Sequence, residues 1–481
     1  MKEFVRQIAV IVVALSLGAA TFATPRAEAV QAQAPPPATA PAPAMPAVPA
    51  PAPAPAPGTA APSAPAQTFT LAQAVQATLT QNPQVVAAQQ AVVQAQQSVL
   101  QAQAGFGPMV SVNGNGALGT TTNTTNITSA PLPSVNGTGT ATVAGSLLVF
   151  DNGRTRALVE AAQAGLASAE ATLRQTQQDL ALQAGTQFFT VLGDEGVAAV
   201  DQQILAQDQA QLALTEAQVR AGVTAQADVI QAQATVAQAQ VNLLNAQAQV
   251  LTAKAALAST MGVDTTAPIE VVSPTSPSPQ VTVTQDQVLA AALQNRPEIA
   301  KANAVVQSAQ ASLDTAYVDA GPQVAVNVGA GYTPLSTDPA LANTATYGLT
   351  GSISLPLFDS GRGHAEIAGA QAGLKSAQAS LASEVLAIRQ DAYTAYLSAV
   401  QAAANVTATA AAKAAADQAL AVAQGQYRAG VGTIINVIVA QTNAAQADVN
   451  ATTALYNYES ALVTLQHAEG APIVAIGGGT P

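Results

Sequence analysis

The sequence predicts a mainly α protein with a membrane β-barrel, built as a duplicated repeat of long coiled-coil helices plus two strands. Three observations carry that expectation. Short motifs recur 208 residues further along the chain: Phe150-Asp151-Asn152-Gly153-Arg154 returns as Phe358-Asp359-Ser360-Gly361-Arg362, Arg220-Ala221-Gly222-Val223 as Arg428-Ala429-Gly430-Val431, and Gly262 as Gly470. Apolar residues fall at every seventh position over long stretches, the mark of a coiled coil. Four Gly- and Val-rich segments alternate with period two, the mark of a sheet with one apolar face. Repetition sets the architecture before any single motif does.

Composition bounds the class. Only 9% of the 481 residues are charged and 3% aromatic, with Trp and Cys absent. Ala and Gln dominate, so helices can approach closely but cannot enclose a thick core. A net charge of −12 without a Lys/Arg cluster argues against a nucleic-acid partner. Residues 1–29 read as a signal peptide: Lys2 and Arg6 precede an apolar run from Ile8 to Ala23, too short to span a bilayer, and Ala27-Glu28-Ala29 offers a cleavage site. An uncleaved anchor is the alternative. No Cys follows for lipid attachment. Residues 30–67 alternate Pro and Ala and read as a disordered, extended linker.

The first repeat, 68–262, opens with a short helix over Thr70–Gln81 ended by Pro83, then a second helix to about Ala104. Strands are expected at about 107–119 and 138–150. A helix over 153–221 follows, carrying two heptad seams: Leu166, Leu173 and Leu180, then Val191, Ala198, Leu205, Leu212 and Val219. They are out of phase by four residues near Gly193–Gly196, a stutter that locally unwinds a supercoil. A return helix over 225–261 carries Val229, Val236, Leu243, Val250 and Leu257. After a linker at 263–283, the second repeat, 284–470, is expected to place strands at about 322–333 and 345–358 and long helices over 361–429 and 433–469, with a flexible tail at 471–481. Four strands cannot close a barrel round their own side chains, and open edges cannot face lipid. A membrane-inserted chain of this kind must therefore oligomerise.

Enzyme chemistry finds no foothold. Gly114-Asn115-Gly116-Ala117-Leu118-Gly119 matches a dinucleotide fingerprint but does not open a helix. His364 and His467, the only histidines, have no partners at ligand spacing and are expected at the surface, so neither a metal nor a cofactor is expected. At Phe150-Asp151 and Phe358-Asp359 the residue types favour a structural role: Phe ends a strand, Asp caps a helix, and Gly153 or Gly361 makes the turn. A place lining a pore is the alternative.

Together, Gln81-Asn82-Pro83 and Asn295-Arg296-Pro297, the two Phe-Asp-X-Gly-Arg motifs, and the Arg-Ala-Gly-Val pairs with Ala232-Gln233 and Ala440-Gln441 beyond them resemble the TolC-like outer-membrane efflux factors, over about Thr70 to Gly470. The resemblance implies a homotrimer with a 12-stranded barrel in the outer membrane of a Gram-negative bacterium and a 12-helix tunnel through the periplasm. It also implies a periplasmic adaptor and an inner-membrane pump of RND, ABC or MFS type as partners, and no catalysis. The periplasmic tip and adaptor contact would be Arg220, Gly222, Val223, Thr224, Arg428, Gly430, Val431 and Thr433. The tunnel entrance would fall at Asp228, Asn436 and Val439, where relatives commonly place acids after the second turn. Only Asp228 is ionisable, and it is expected to join Arg220 or Arg428 in a polar network, or else simply to offset a helix dipole. A periplasmic coiled-coil scaffold without a pore and a periplasmic adaptor are the competing readings. Four strands at repeated positions argue against the first, and two hairpins instead of one against the second.

Overall fold

The structure, a computed structural model, describes residues 67–121, 134–222, 225–274, 279–319, 321–336 and 344–473. The signal-peptide reading, almost all of the Pro/Ala linker, Val223, Thr224 and the tail beyond residue 473 lie outside the described residues. The chain divides into two units, one containing Met109–Ser146 and Val326–Thr350, the other the helices with the adjoining strand ends.

In the helical unit each repeat starts with a capping box. Thr70 Oγ1 accepts the Gln73 amide while Gln73 Oε1 accepts the Thr70 amide, starting α1 (Leu71–Gln81); Thr284 and Gln287 do the same for α5 (Gln285–Asn295). Pro83 and Pro297 then occupy the first turn of α2 (Pro83–Ala104) and α6 (Pro297–Asp319), where no amide is needed. The long helices are α3 (Arg154–Arg220), α4 (Gln226–Met261), α7 (Arg362–Arg428) and α8 (Ile434–Ala468). At about 1.5 Å per residue, α3 and α7 are each about 100 Å long.

The principal helix pairs are α3 with α4, α7 with α8, α3 with α2, α6 and α8, and α6 with α7. They form one layer of four columns, in the order α2/α4, α3, α6/α8, α7. Gly262 and Gly470, 208 residues apart, meet the Gln81-Asn82-Pro83 and Asn295-Arg296-Pro297 motifs, 214 apart, and these contacts stack α2 on α4 and α6 on α8. Asn82 Nδ2 donates to Thr260 O (2.8 Å), and its Oδ1 accepts the Gln84 amide (2.8 Å). Gly262, at φ +74°, lies so close to Gln81 that a Cβ would fall 2.7 Å from the Gln81 carbonyl oxygen; Gly470, at φ +70°, meets Asn295 and Arg296 in the same way. Where the first repeat uses Asn82, the second uses a buried bidentate pair, with Arg296 Nε and Nη2 donating to Glu298 at 3.0 and 2.8 Å.

Core residues gather beside the short helices. In the first repeat Leu71 and Val75 meet Phe188, Phe189, Val191, Leu257 and Met261, the two Phe rings packing edge to face at 5.6 Å. In the second, Val288 and Ala292 meet Ile388, Ala392 and Leu465. Elsewhere the contacts are alanines: Ala157, Ala164 and Ala171 on α3, Ala304 and Ala311 on α6, Ala232, Ala239 and Ala246 on α4. At the expected stutter α3 remains helical. Gly193 and Gly196 lie against Tyr456 and Thr452 of α8, where a Cβ on Gly196 would be 2.6 Å from Thr452 Cγ2. Small residues admit the crossing there.

The strands β2 (Met109–Thr121), β3 (Ser134–Phe150), β5 (Gln323–Ser336) and β6 (Thr344–Ser354) form one sheet in the order β2-β3-β5-β6. β2 and β3 are antiparallel, with Val112 opposite Val143 and Asn113 opposite Thr142. A Cβ on Gly145 would lie 3.0 Å from Val328, and one on Gly331 would lie 2.9 Å from Thr346 and 3.4 Å from Thr142. Face membership follows. Val110, Val112, Val143, Val328, Tyr347, Leu349 and Ile353 share one face, while Asn113, Asn115, Thr140, Thr142, Thr346 and Thr350 share the other. Strand β6 stops at Ser354, four residues short of the expected end, because Pro356 has no N–H for a ladder. A small parallel pair joins β1 (Gln67–Phe69), at the boundary between the segment read as a linker and the first repeat, to β4 (Ile269–Val271), inside the segment read as the inter-repeat linker. Three residues are too few to show a period.

Gly262→Ala and Gly470→Ala each force a side chain into a left-handed backbone position against a neighbouring main chain. Each is expected to destabilise by about 1–3 kcal/mol, read as a lowered Tm by circular dichroism. Gly165→Ala, in an open helical position, should instead raise the Tm slightly, since alanine is the better helix former.

Candidate tunnel entrance and strand-to-helix junctions

At both junctions an aspartate takes the free amides at a helix start. Asp151 Oδ1 accepts from Gly153 N (3.0 Å) and its Oδ2 from Thr155 N (2.6 Å); Asp359 accepts from Gly361 N (3.0 Å) and Gly363 N (2.7 Å). The turn needs left-handed backbone at Asn152 and Ser360 (φ 56° and 55°) and at Gly153 and Gly361 (φ 93° and 88°). For Asp151, partial burial pushes the carboxyl up, but hydrogen bonds from Thr155 and Gly153 outweigh it and hold it below the ordinary value. For Asp359 the Gly363 and Gly361 amides lower it directly. These contacts account for both aspartates as helix caps. Phe150 and Phe358 are exposed, Phe358 at 88%.

At the tips, the turn after α3 has Gly222 at φ +72° and the turn after α7 has Gly430 at φ +74°, both with open space round the α-carbon. Val431 N and Gly432 N both donate to Gln426 O at 3.0 Å, and Thr433 Oγ1 accepts the Asn436 amide to start α8. Tyr427, Ile434 and Val437 form a small buried cluster behind this turn. The expected network round Asp228 is not formed among the described residues. Arg220 reaches Glu216 at 4.0 Å along its own helix, and Asp228 sits in the first turn of α4 with neither Arg220 nor Arg428 as a partner. An i, i+4 acid is nearer to hand than one across the turn, and the carboxylate of Asp228 offsets the helix dipole where it stands. Asn436 and Val439 are exposed on α8. The sequence reading did not single out Ile435: with Val431 and Val439 it makes a stripe at four-residue spacing, exposed at 64, 81 and 53% respectively.

His467 departs from its expected surface position. Its side chain is only 12% exposed and its Nε2 lies 3.0 Å from Asp179, because the last turn of α8 packs against α3. His364 is exposed. Among the described residues there is no group of acids, histidines or cysteines that could hold a metal, and no helix long and apolar enough to cross a membrane.

A duplicated pair of long helical hairpins, each with two strands of a shared antiparallel sheet, defines the channel-tunnel class of membrane protein. The family model for outer membrane efflux proteins matches residues 74–263 and 288–471, and the chain belongs to that family. It is therefore an outer-membrane channel protein of efflux, which sets aside the scaffold reading. Solved structures share the fold. VceC of Vibrio cholerae is 22% identical with a TM-score of 0.70, over 83% of this chain and 96% of its own. The Campylobacter jejuni CmeC channel is 14% identical with a TM-score of 0.71, over 83% and 85%. The Neisseria gonorrhoeae MtrE channel, in its open state, is 19% identical with a TM-score of 0.67, over 83% and 89%. Among curated proteins no sequence matches.

Removing the Asp151 cap by Asp151→Ala is expected to lower stability by about 1 kcal/mol at pH 7. A depressed carboxyl stabilises the fold above its unfolded pKa and loses that contribution as pH falls through its folded pKa. The difference between wild type and variant should therefore shrink steadily below pH 3.8, as followed by thermal melts across an acid series.

Proposed function

We propose that three copies assemble into a continuous conduit, a 12-stranded barrel in the outer membrane joined to a 12-column helical tunnel through the periplasm. The supporting observation is a pair of unsatisfied edges on each chain. The sheet ends in β2 and β6, and the helical layer ends in α2/α4 and α7. On the helical edges, apolar side chains stand exposed at seven-residue spacing: Val86, Val93 and Leu100 on α2, Leu386, Tyr393 and Val400 on α7. A heptad stripe with no partner in its own chain is half of a coiled-coil seam. The strands suit the same assembly. At about 3.3 Å per residue the 11 residues of β6 span about 36 Å, enough to cross a bilayer when tilted. The Val/Leu/Ile face would meet lipid and the Thr/Asn face would line the pore.

Strands β2, β3, β5 and β6 contain no Asp, Glu, Lys, Arg or His, so the barrel lumen is neutral and polar. The tunnel acts as a passive conduit and catalyses nothing. The turns at Arg220–Thr224 and Arg428–Thr433 form the periplasmic tip and meet an adaptor, which couples the tunnel to an inner-membrane RND, ABC or MFS pump. Selection of cargo, whether small molecules or polypeptides, then falls to the pump and adaptor. At the entrance, Asn436 and Val439 leave Asp228 as the one acid of the three positions.

Leu386→Glu with Tyr393→Glu puts charge into the intermolecular seam without touching a contact within the chain's own core. The wild-type protein is expected to run as a trimer in detergent by native mass spectrometry and to form pores in planar bilayers. The double variant should run as a monomer and lose conductance. A wild-type monomer with no conductance would overturn the reading.

A further inference from the structure

The α3–α4 hairpin contains acids where a coiled coil expects apolar side chains. Asp194, Asp201 and Asp208 follow one another at seven-residue spacing, three residues beyond the apolar positions Val191, Ala198 and Leu205, and so alternate with them along one seam. Asp208 is 5% exposed with no hydrogen-bond or ionic partner among the described residues, and Thr215, the next in the series, is fully buried. Lys254 Nζ, 2.7 Å from Glu195 Oε1, fixes the antiparallel register. In the register that Lys254 and Glu195 set, the buried α4 positions Ala246 and Ala239 lie level with Asp201 and Asp208, and Ala232 lies level with Thr215.

Among the described residues no cation pairs with these carboxyls. The charged residues of α4 are Lys254, taken by Glu195, and Asp228 at the tip; on α8 they are Asp448, held by Lys413 at 2.8 Å, with Glu459 and His467 near the end remote from the tip. On α3 itself Glu216 pairs with Arg220. Because α3 is an inner column, its neighbours on both sides belong to its own chain. Burial alone pushes Asp194 and Asp201 up, and Asp208 up to about 6.

The second hairpin is built differently. The positions 208 residues on are Ala402, Thr409 and Ala416. At the same distance from the tip, Lys413 of α7 bridges to Asp448 of α8, where the first repeat has Leu205 and Gln240. We infer that the first hairpin is a pH-responsive element: protonation of the Asp194–Asp201–Asp208 ladder closes the α3–α4 seam and ionisation loosens it, while the second hairpin, clamped by Lys413 and Asp448, does not respond. The sign follows from linkage. A carboxyl raised in the packed state binds its proton more tightly there than in the open state, so packing is favoured at low pH and weakened as pH rises from 3.8 to about 6.

The test is hydrogen exchange by mass spectrometry on the full chain in detergent, corrected for the intrinsic pH dependence. Between pH 5 and pH 7.5, opening of amides in the tipward halves of α3 and α4 is expected to rise about tenfold, the change that returning Asp208 to its unburied pKa would produce. The tipward halves of α7 and α8 should stay level. Asp208→Asn, which mimics the protonated acid, and Asp208→Ala, which copies Ala416, should each remove most of the rise and leave the hairpin protected at pH 7.5. A flat wild-type profile, an equal rise in both hairpins, or a rise that persists in both variants would overturn the inference. Oligomeric state, measured on the same sample, keeps this test separate from that of the trimer: a monomeric wild type would sink the conduit and leave the hairpin comparison readable.

Discussion

A layer one helix thick has no interior behind it, and that constraint shapes everything else in the helical unit. Each column can be held only by its lateral neighbours, so the contact positions must let helices come close, and alanine does so without leaving voids. Ala164, Ala171, Ala304 and Ala311 line the column contacts, and glycine appears where the approach is tighter still, as at Gly185 beneath Val463, where a Cβ would sit 2.8 Å away. The larger apolar cores lie where a third element covers the layer, beside α1 and α5, with a smaller one behind the turn at Tyr427. The scarcity of aromatic residues follows from the same geometry.

Much of this was legible in the sequence because it is periodic. The seven-residue spacing marked the hairpins, and motif repetition marked their boundaries: Gly222 and Gly430 occupy the turns, and Asp151 and Asp359 cap the long helices. What could not be read is what depends on a single pairing in space. The Gln81-Asn82-Pro83 motif and Gly262 are 180 residues apart, and only the fold shows that they touch. His467 looked solitary because its partner, Asp179, is 288 residues away. β1 and β4 were hidden by brevity. At the tip, Asp228 was expected to bridge the turn, but Glu216 is one helical turn from Arg220 and captures it first.

The two repeats share a backbone plan and differ in chemistry at equivalent heights. Asn82 is matched by the buried Arg296–Glu298 pair, and the acids along α3 are matched by alanine and threonine along α7, with Lys413 and Asp448 close by. Duplication fixed spacing, since shifting a heptad by one residue would misplace every later contact, while individual side chains within that spacing were free to diverge.

Alanine seams have another consequence. Methyl groups make low ridges, so one helix can slide lengthwise past another with little steric friction, and the axial register of each hairpin is left to a few polar fasteners, Lys254–Glu195 in one and Lys413–Asp448 in the other. Such columns resist bending along their hundred-ångström length yet yield to shear, so force applied at one end would travel as longitudinal slip between neighbours before any helix buckled.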